Sequence, residues 1–448
     1  IAFGAGGLLI AAALTHFMGE HQGTAFFGAL VFDRMSVLLN LSILAIALLT
    51  LFLSVANVNT KGQSLAEHTF LVLSAVTGMM TLISAADLMV AFIGLELMSL
   101  ALYVLIGLGH EQKFSKEAAF KYFILVFFAS AFFLYVIDFF LGAAATTQIG
   151  QIAPRAAVLL VSNKIFLVGV CLLMIGVAFK VSVFPFYAWT PDVYQGAPTP
   201  VTAFMATAVK LVMFGVFLRL ALAHFFSASP RLILVLQVLA ILTMVAGNVS
   251  AIVQENIKRV LAYSSVAHAG YMMIGIVAAT NTNSPDAATA VIFYAISYSI
   301  MNIGAFAVVS LFEKAERAHL NLTDYSGIGF KYPFLGLAMA VFMLSLAGMP
   351  PTVGFIGKFY VFSAAYKEGF VWLTIFGVIN SLISAYYYLR IIVNMYMKEP
   401  THEVTADRAG LSRVVIVVSL VLTLVFGIAS LSLYGPTLKS ISGLVAKN

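Results

Sequence analysis

The sequence predicts an all-α polytopic membrane protein, and three observations carry that assignment. Of 448 residues, 62% are hydrophobic and 9% are charged, and the mean hydropathy is +1.03, whereas about 25% of an average soluble chain is charged. The apolar residues fall into long windows separated by short polar connections. Two of those windows exceed one straight crossing and are interrupted by proline and glycine. At about 20 residues per crossing the composition has room for about 13 membrane-spanning helices. A soluble protein is excluded, and so is a single-span anchor carrying a soluble domain.

Windows long enough to span run over 1 to 18, 36 to 57, 67 to 86, 87 to 109, 116 to 142, 154 to 190, 200 to 225, 231 to 253, 257 to 280, 286 to 312, 333 to 363, 370 to 397 and 412 to 435; they are spans one to thirteen. Only the connections at 19 to 35, 313 to 332 and 398 to 411 exceed a dozen residues, which leaves no room for a soluble domain. One side of the membrane receives Lys61, Lys113, Lys116, Lys258, Arg259, Lys314, Arg317, Lys331, Lys398, Arg408 and Arg413. The other receives Arg34, Arg155, Lys164, Arg231, Lys367, Lys439 and Lys447. The richer side is read as cytoplasmic. The same bias accounts for the net charge of +6 and the pI near 9.2; no basic run of five or six residues exists, so nucleic acid is not an expected partner.

The long windows are the sixth and the eleventh. The sixth contains Lys180-Val-Ser-Val-Phe-Pro185 and runs into Trp189-Thr-Pro-Asp-Val-Tyr-Gln-Gly-Ala-Pro198; the eleventh contains Ala347-Gly-Met-Pro-Pro-Thr-Val-Gly-Phe-Ile-Gly-Lys358. Both are expected to be broken helices. Taking spans three to seven as one unit and eight to twelve as a second puts each break on the fourth helix of its unit. Five crossings per unit force the second unit to enter from the opposite side, which is the inverted repeat of ion transporters. The expected organisation is peripheral N-terminal helices over 1–66, a five-helix unit over 67–225, an inverted five-helix unit over 231–397, and a C-terminal helix and tail over 398–448.

The single cysteine, Cys171, lies in an apolar run, so no intrachain disulfide, four-thiolate cluster or CxxC pair is possible within the chain. Neither HExxH nor a glycine-rich phosphate loop occurs. Chemistry is left to the titratable groups inside the windows. Glu96 in span four, Lys210 in span seven and His268 in span nine fall near mid-membrane at 1.5 Å per residue. Lys180 and Lys358 flank the two breaks, and Lys121 is shallower in span five. An ionised group at the bilayer centre costs about 2.5 to 3.5 kcal/mol on insertion scales, so several together imply a hydrated interior in which they serve one another. Lysine next to an opening and closing carboxylate switches between holding and releasing a proton. Mid-membrane lysines outnumber the one glutamate, which suits protons and would repel a metal ion.

Each group also has a plain packing reading. Glu96 with Lys180 could be a static pair that fixes register, His268 could satisfy a backbone carbonyl, and Lys121 could snorkel to the interface. Asp138 and Arg390 lie towards span ends and read as interfacial or packing groups. The Tyr386-Tyr387-Tyr388 run and the many phenylalanines read as lipid-facing or packing surface.

Four stretches together carry a resemblance. They are Phe92-Ile-Gly-Leu-Glu96-Leu, the Phe179 to Pro198 segment with its WTPDVYQGAP, Asn256-Ile-Lys-Arg-Val-Leu-Ala-Tyr-Ser-Ser-Val-Ala-His268, and Ser345 to Phe359 with its GFIGKF. In this order, over essentially the whole chain, the sequence resembles the antiporter-like chain N (subunit 2) family of proton-translocating NADH:quinone oxidoreductase, respiratory complex I. The lysine in GFIGKF favours N over the M type, which resembles this stretch with glutamate, and the L type would add a long lateral helix. The resemblance implies fourteen spans, so that a first helix is expected to be missing here. It implies that Glu96 and Lys180 form an ion pair on the uptake side, that Lys210 is the central lysine, that His268 is the linking histidine, and that Lys358 leads towards the exit. Lys121 also matches a family lysine, whereas Asp138 stands where a small or apolar residue is expected.

The function implied is a non-redox, proton-translocating membrane-arm subunit in a bacterial inner membrane. The resemblance implies no cofactor in this chain; FMN, iron–sulfur clusters and quinone belong to other subunits. Its implied partners are the M type, the small K, J, A and H types, and the lipid bilayer. A stand-alone or Mrp-type cation/proton antiporter, and an inert scaffold, are the alternatives the residues leave open.

Overall fold

The computed structural model of the chain describes every residue except 20, 61–63, 109–112, 228, 283, 314–319, 401–403, 408 and 446–448. Lys61, Lys314, Arg317, Arg408 and Lys447 of the orientation count therefore lie outside the described residues. Helix α1 (Ala2–Met18) leads into a hairpin of β1 (Gly23–Ala25) and β2 (Leu30–Phe32), which hydropathy did not foretell and which pairs Thr24 with Val31. The first half continues with α2 (Arg34–Thr60), α3 (Leu65–Ser84), α4 (Leu88–Gly107), α5 (Lys113–Ala144), α6 (Ile149–Ser162), α7 (Lys164–Val181), α8 (Trp189–Gly196), α9 (Thr199–Phe204), a π turn at Met205–Val209 and α10 (Lys210–Leu222). The second half holds α11 (Pro230–Ile252), α12 (Ile257–Thr282), α13 (Pro285–Phe312), α14 (Ile328–Lys331), α15 (Pro333–Ala347), α16 (Val353–Lys367), α17 (Val371–Met397), α18 (Gly410–Ile428) and α19 (Leu431–Val445).

Among the described residues 11 helices are long and apolar enough to cross a membrane. With α1 and the α15–α16 pair, whose members are individually shorter, they account for the crossings that hydropathy predicts. The sixth window is corrected: its first part is the separate helix α6, and α7 begins only after Asn163, whose side chain accepts from the amides of Ile165 at 2.9 Å and Phe166 at 3.3 Å. Hydropathy is blind to such an N-cap between two apolar runs. The thirteenth window likewise merges α18 with the start of α19.

Two devices repeat between the halves. Where α3 crosses α4, a Cβ at Gly78 would stand 2.5 Å from the Met98 amide nitrogen and 2.7 Å from the Gly94 carbonyl oxygen. Where α11 crosses α12, a Cβ at Gly247 would stand 2.5 Å from the Ala267 nitrogen and 2.9 Å from the Tyr263 oxygen. Only glycine permits backbones this close. Asp87, before α4, forms a bridge with Gln148 beyond α5, and Asn256, before α12, forms one with Asn321 beyond α13. One offset in numbering relates Asp87 to Asn256, Gly78 to Gly247, Gly94 to Tyr263 and Met98 to Ala267.

The breaks match too. Helix α7 ends at Ser182 (φ 63°, ψ 44°) and α15 at Gly348 (φ 91°, ψ 46°), both left-handed. The stretch from α9 to α10 is buried throughout and α12 and α13 nearly so, whereas most of α17 and α18 faces outward. The interior is therefore a seam between the last helix of the first unit and the second and third helices of the second.

An arginine fastens the last helix of each unit. Arg219 in α10 makes a two-pronged pair with Asp33 at 2.7 and 3.2 Å. Burial would raise the Asp33 carboxyl, but the Arg219 charge and the Ser36 amide and hydroxyl hold it below the ordinary 3.8. Arg390 in α17 donates to the carbonyl of Ile252 at 2.8 Å and to that of Gln254, so it caps α11, as the packing reading expected.

Candidate functional site

Glu96 lies on α4, half-buried against α5, where the Ser130 hydroxyl donates to its Oε1. One turn further along α4, Ser99 Oγ accepts from Lys180 Nζ at 2.6 Å. The implied Glu96–Lys180 ion pair is not closed in the described structure: Glu96 is held by Ser130, and Lys180 is held by Ser99. Lys180 is held in the last turn of α7, 2% exposed. Its turn is fixed by the Trp189 indole donating to the Phe179 carbonyl at 3.1 Å and by Thr190 donating to Ser182 at 2.6 Å.

Lys210 follows the π turn that re-registers α9 into α10, a device that frequently marks functional positions. Its Nζ donates to the Ser265 carbonyl on α12 and lies 5.8 Å from the centre of the Tyr298 ring. Three residues on, on the same side of α12, His268 Nδ1 is 2.6 Å from Tyr294 Oη and Nε2 is 3.0 Å from Tyr388 Oη. The Tyr271 ring meets His268 edge-on with centroids 5.6 Å apart, and Lys358 Nζ stands 4.9 Å from its centre. Lys358 Nζ also donates to the Ala347 carbonyl at 2.8 Å and to Ser381 Oγ at 2.9 Å. Lys210, His268 and Lys358 are thus joined by backbone, phenol and ring groups, all buried.

Around Lys210, Ser265 Oγ, Tyr298 Oη and the Asn302 amide are buried close together without a well-formed hydrogen bond. Buried polar groups in that condition are where internal waters bind. Sequence reasoning missed these groups, and it misread the tyrosine run. Tyr386 faces outward, but Tyr387 and Tyr388 are fully buried, with Tyr388 on His268 and Tyr387 donating to Asn248 at 2.9 Å. Helical spacing was the available signal, since residues 384, 387, 388 and 391 form one buried stripe.

Lys121 stands apart from this line. It is 41% exposed and pairs with Glu117 at 2.8 Å and Asp192 at 2.9 Å, and Asp192 pairs in turn with Arg259 at 2.8 Å. Asp138 is exposed on the outer part of α5. Among the described residues no group of three or more His, Cys, Asp or Glu is placed to hold a metal ion.

Residues 85–384 match the family described as NADH:quinone oxidoreductase/Mrp antiporter, TM. The NADH-quinone oxidoreductase subunit N of Bdellovibrio bacteriovorus is 46% identical over 436 residues, spanning 97% of this chain and 90% of that protein. The chain belongs to the NADH-quinone oxidoreductase subunit N family. A chain of the respiratory complex I from Thermus thermophilus with bound aureothin superimposes on this subunit N relative with a TM-score of 0.81 at 34% identity, covering 98% of this chain and 92% of that one. A chain of the Mrp complex from Dietzia sp. gives a TM-score of 0.88 at 20% identity, covering 99% and 91%. That second likeness is one of fold, and sequence identity separates the subunit N family from it.

Proposed function

We propose that this chain is the proton-translocating membrane-arm subunit of a bacterial NADH:quinone oxidoreductase, and that it carries no redox group itself. FMN, iron–sulfur clusters and quinone would belong to other subunits, and its neighbours would be the M-type and the small K-, J-, A- and H-type membrane subunits. Residues 67–225 and 231–397 act as the two inverted units, with 1–66 and 398–448 peripheral.

Energy released by quinone reduction reaches the chain as a change around Glu96 and Lys180. Moving Glu96 and its charge relative to Lys180 changes the proton affinity of that lysine. A proton is pushed on to Lys210, then through His268 and its tyrosines to Lys358 and out. Moving one charge against 100 mV requires about 2.3 kcal/mol, which a change of less than two pKa units supplies at about 1.36 kcal/mol each. The observation that carries the reading is the buried row of groups in which Lys210 bonds the Ser265 carbonyl, His268 follows one turn along α12, and the Tyr271 ring meets both His268 and Lys358.

The test is Lys210→Ala and Glu96→Ala in the intact complex, with quinone reduction and proton pumping measured in the same vesicles. Pumping per electron is expected to fall in both, and undiminished pumping would sink these roles. The Mrp-type reading makes the opposite demand: the purified chain alone should exchange cations for protons.

A further inference from the structure

One buried side chain holds both arms of the cluster around His268. Asn248 lies on α11, beside Gly247 of the close crossing, and is fully buried. Its Nδ2 donates to Tyr271 Oη on α12 at 3.2 Å, and on α17 to the Asn380 carbonyl at 3.1 Å and Asn380 Oδ1 at 3.2 Å. Its Oδ1 accepts from Tyr387 Oη at 2.9 Å. Asn380 is tied in turn to its own helix, where its Nδ2 donates to the Phe376 carbonyl at 2.9 Å. A single amide, bonded at both its ends, therefore joins α11, α12 and α17.

Each of its two tyrosines leads to the proposed route. The Tyr271 ring meets His268 and Lys358, and Phe362, one turn beyond Lys358 on α16, packs edge-on against the same ring with centroids 6.0 Å apart. The Tyr387 ring lies 4.5 Å from that of Tyr388, whose Oη is 3.0 Å from His268 Nε2. Hydrogen bonds to the outer ends of such rings lock their directions, which packing alone leaves looser.

Packing does not require this amide. At the offset that relates Gly78 to Gly247, Asn248 falls on Met79 and Tyr271 on Leu102, and both of these are fully buried. The first unit thus closes the same crossing with apolar side chains. A buried amide costs free energy unless its polar atoms are bonded. An asparagine at a crossing that a methionine can fill therefore calls for a role besides closing it.

We propose that Asn248 is a positioning residue for proton transfer in the second unit: by holding the phenols of Tyr271 and Tyr387 it keeps the Tyr271 ring on His268 and Lys358, and Tyr388 on His268. Asn248 carries no proton itself. The proposal rests on Lys358 carrying one.

The test compares Asn248→Leu, Asn248→Gln, Tyr271→Phe and Lys358→Ala in the intact complex, measuring assembled complex, quinone reduction with an uncoupler, and protons pumped per electron. Leucine keeps the branching of asparagine without its amide, and pumping per electron in the assembled complex is expected to fall about tenfold. Tyr271→Phe keeps the ring and removes only the phenol that Asn248 holds, so it is expected to fall in the same direction but less, since the Tyr387 arm remains. Glutamine restores an amide and is expected to recover part of the loss. Full pumping in Asn248→Leu together with a loss in Lys358→Ala overturns the positioning role and leaves that of Lys358 standing; full pumping in Lys358→Ala overturns the route and the proposal together. A loss in Asn248→Leu that Tyr271→Phe does not share, or that glutamine does not reduce, overturns the proposal in favour of packing. Should Asn248→Leu not assemble, Tyr271→Phe decides, and unchanged pumping there overturns the proposal.

Discussion

The two five-helix units share a scaffold and differ in what they mount on it. At the offset that relates Gly78 to Gly247, Glu96 falls on Ser265 and Ser99 falls on His268. In the first unit that pair of positions offers a half-buried carboxylate and a hydroxyl that receives Lys180. In the second it offers a backbone carbonyl that receives Lys210 and a buried imidazole between two phenols. The lysines of the breaks differ as well: Lys180 precedes its break and reaches across to α4, whereas Lys358 follows its break and turns back onto it. The two units thus share the crossing and the break, and they differ in the polar groups mounted on them. The first unit keeps a carboxylate near its surface, where a neighbour can act on it; the second holds a buried cluster of aromatic hydroxyls around one ring.

The sharpest way to break this contrast is His268→Ser, which places the first unit's residue on the second unit's scaffold. It removes both ring contacts to Tyr294 and Tyr388, and proton pumping is expected to fall about a hundredfold while uncoupled quinone reduction persists. Pumping within twofold of the unsubstituted complex would mean that the two positions are interchangeable. Next in size, Gly78→Ala and Gly247→Ala should each lower stability by about 1 to 3 kcal/mol, because either methyl meets backbone at 2.5 Å. Thermal unfolding in detergent reads both, and a silent substitution at one of them would break the equivalence of the crossings.

The smallest effect distinguishes the two arginine ties. Asp33 titrates below its ordinary value in the folded chain, so its pairing with Arg219 contributes fully at neutral pH and is lost as the pH falls through about 4 and below. The Arg390 tie ends on carbonyls, which do not titrate. The unfolding midpoints of Asp33→Asn and of the unsubstituted protein should therefore differ at pH 7, and the gap should narrow as the pH falls below about 4. A gap that stays constant would assign the stability to something other than the Arg219 pair.

Hydropathy and proline placement made the crossings, both breaks and the inverted arrangement legible in the sequence, because a bilayer imposes length and polarity on every segment. That Lys180, Lys210, His268 and Lys358 lie inside the bundle was legible for the same reason. The partner of Lys121 was not legible because Asp192 lies far away in sequence, on a half-helix whose position only the fold determines. Ser99, Ser130, Ser381 and the buried tyrosines escaped because hydroxyls are common on membrane helices and nothing in their spacing says which one meets a lysine. The correspondence of Glu96 with Ser265, and not with His268, needed the glycine crossings to set the register.

The bond from Lys358 to the Ala347 carbonyl has a consequence beyond proton transfer. A helix end concentrates about half a negative charge in its last carbonyls, and α15 terminates inside the protein with one of those carbonyls resting on this ammonium. While charged, the lysine neutralises a helix end that the lipid cannot solvate, and its neutralisation would weaken that seal. Under the proposed route, the charge of Lys358 and the closure of the break would therefore be linked at this one bond.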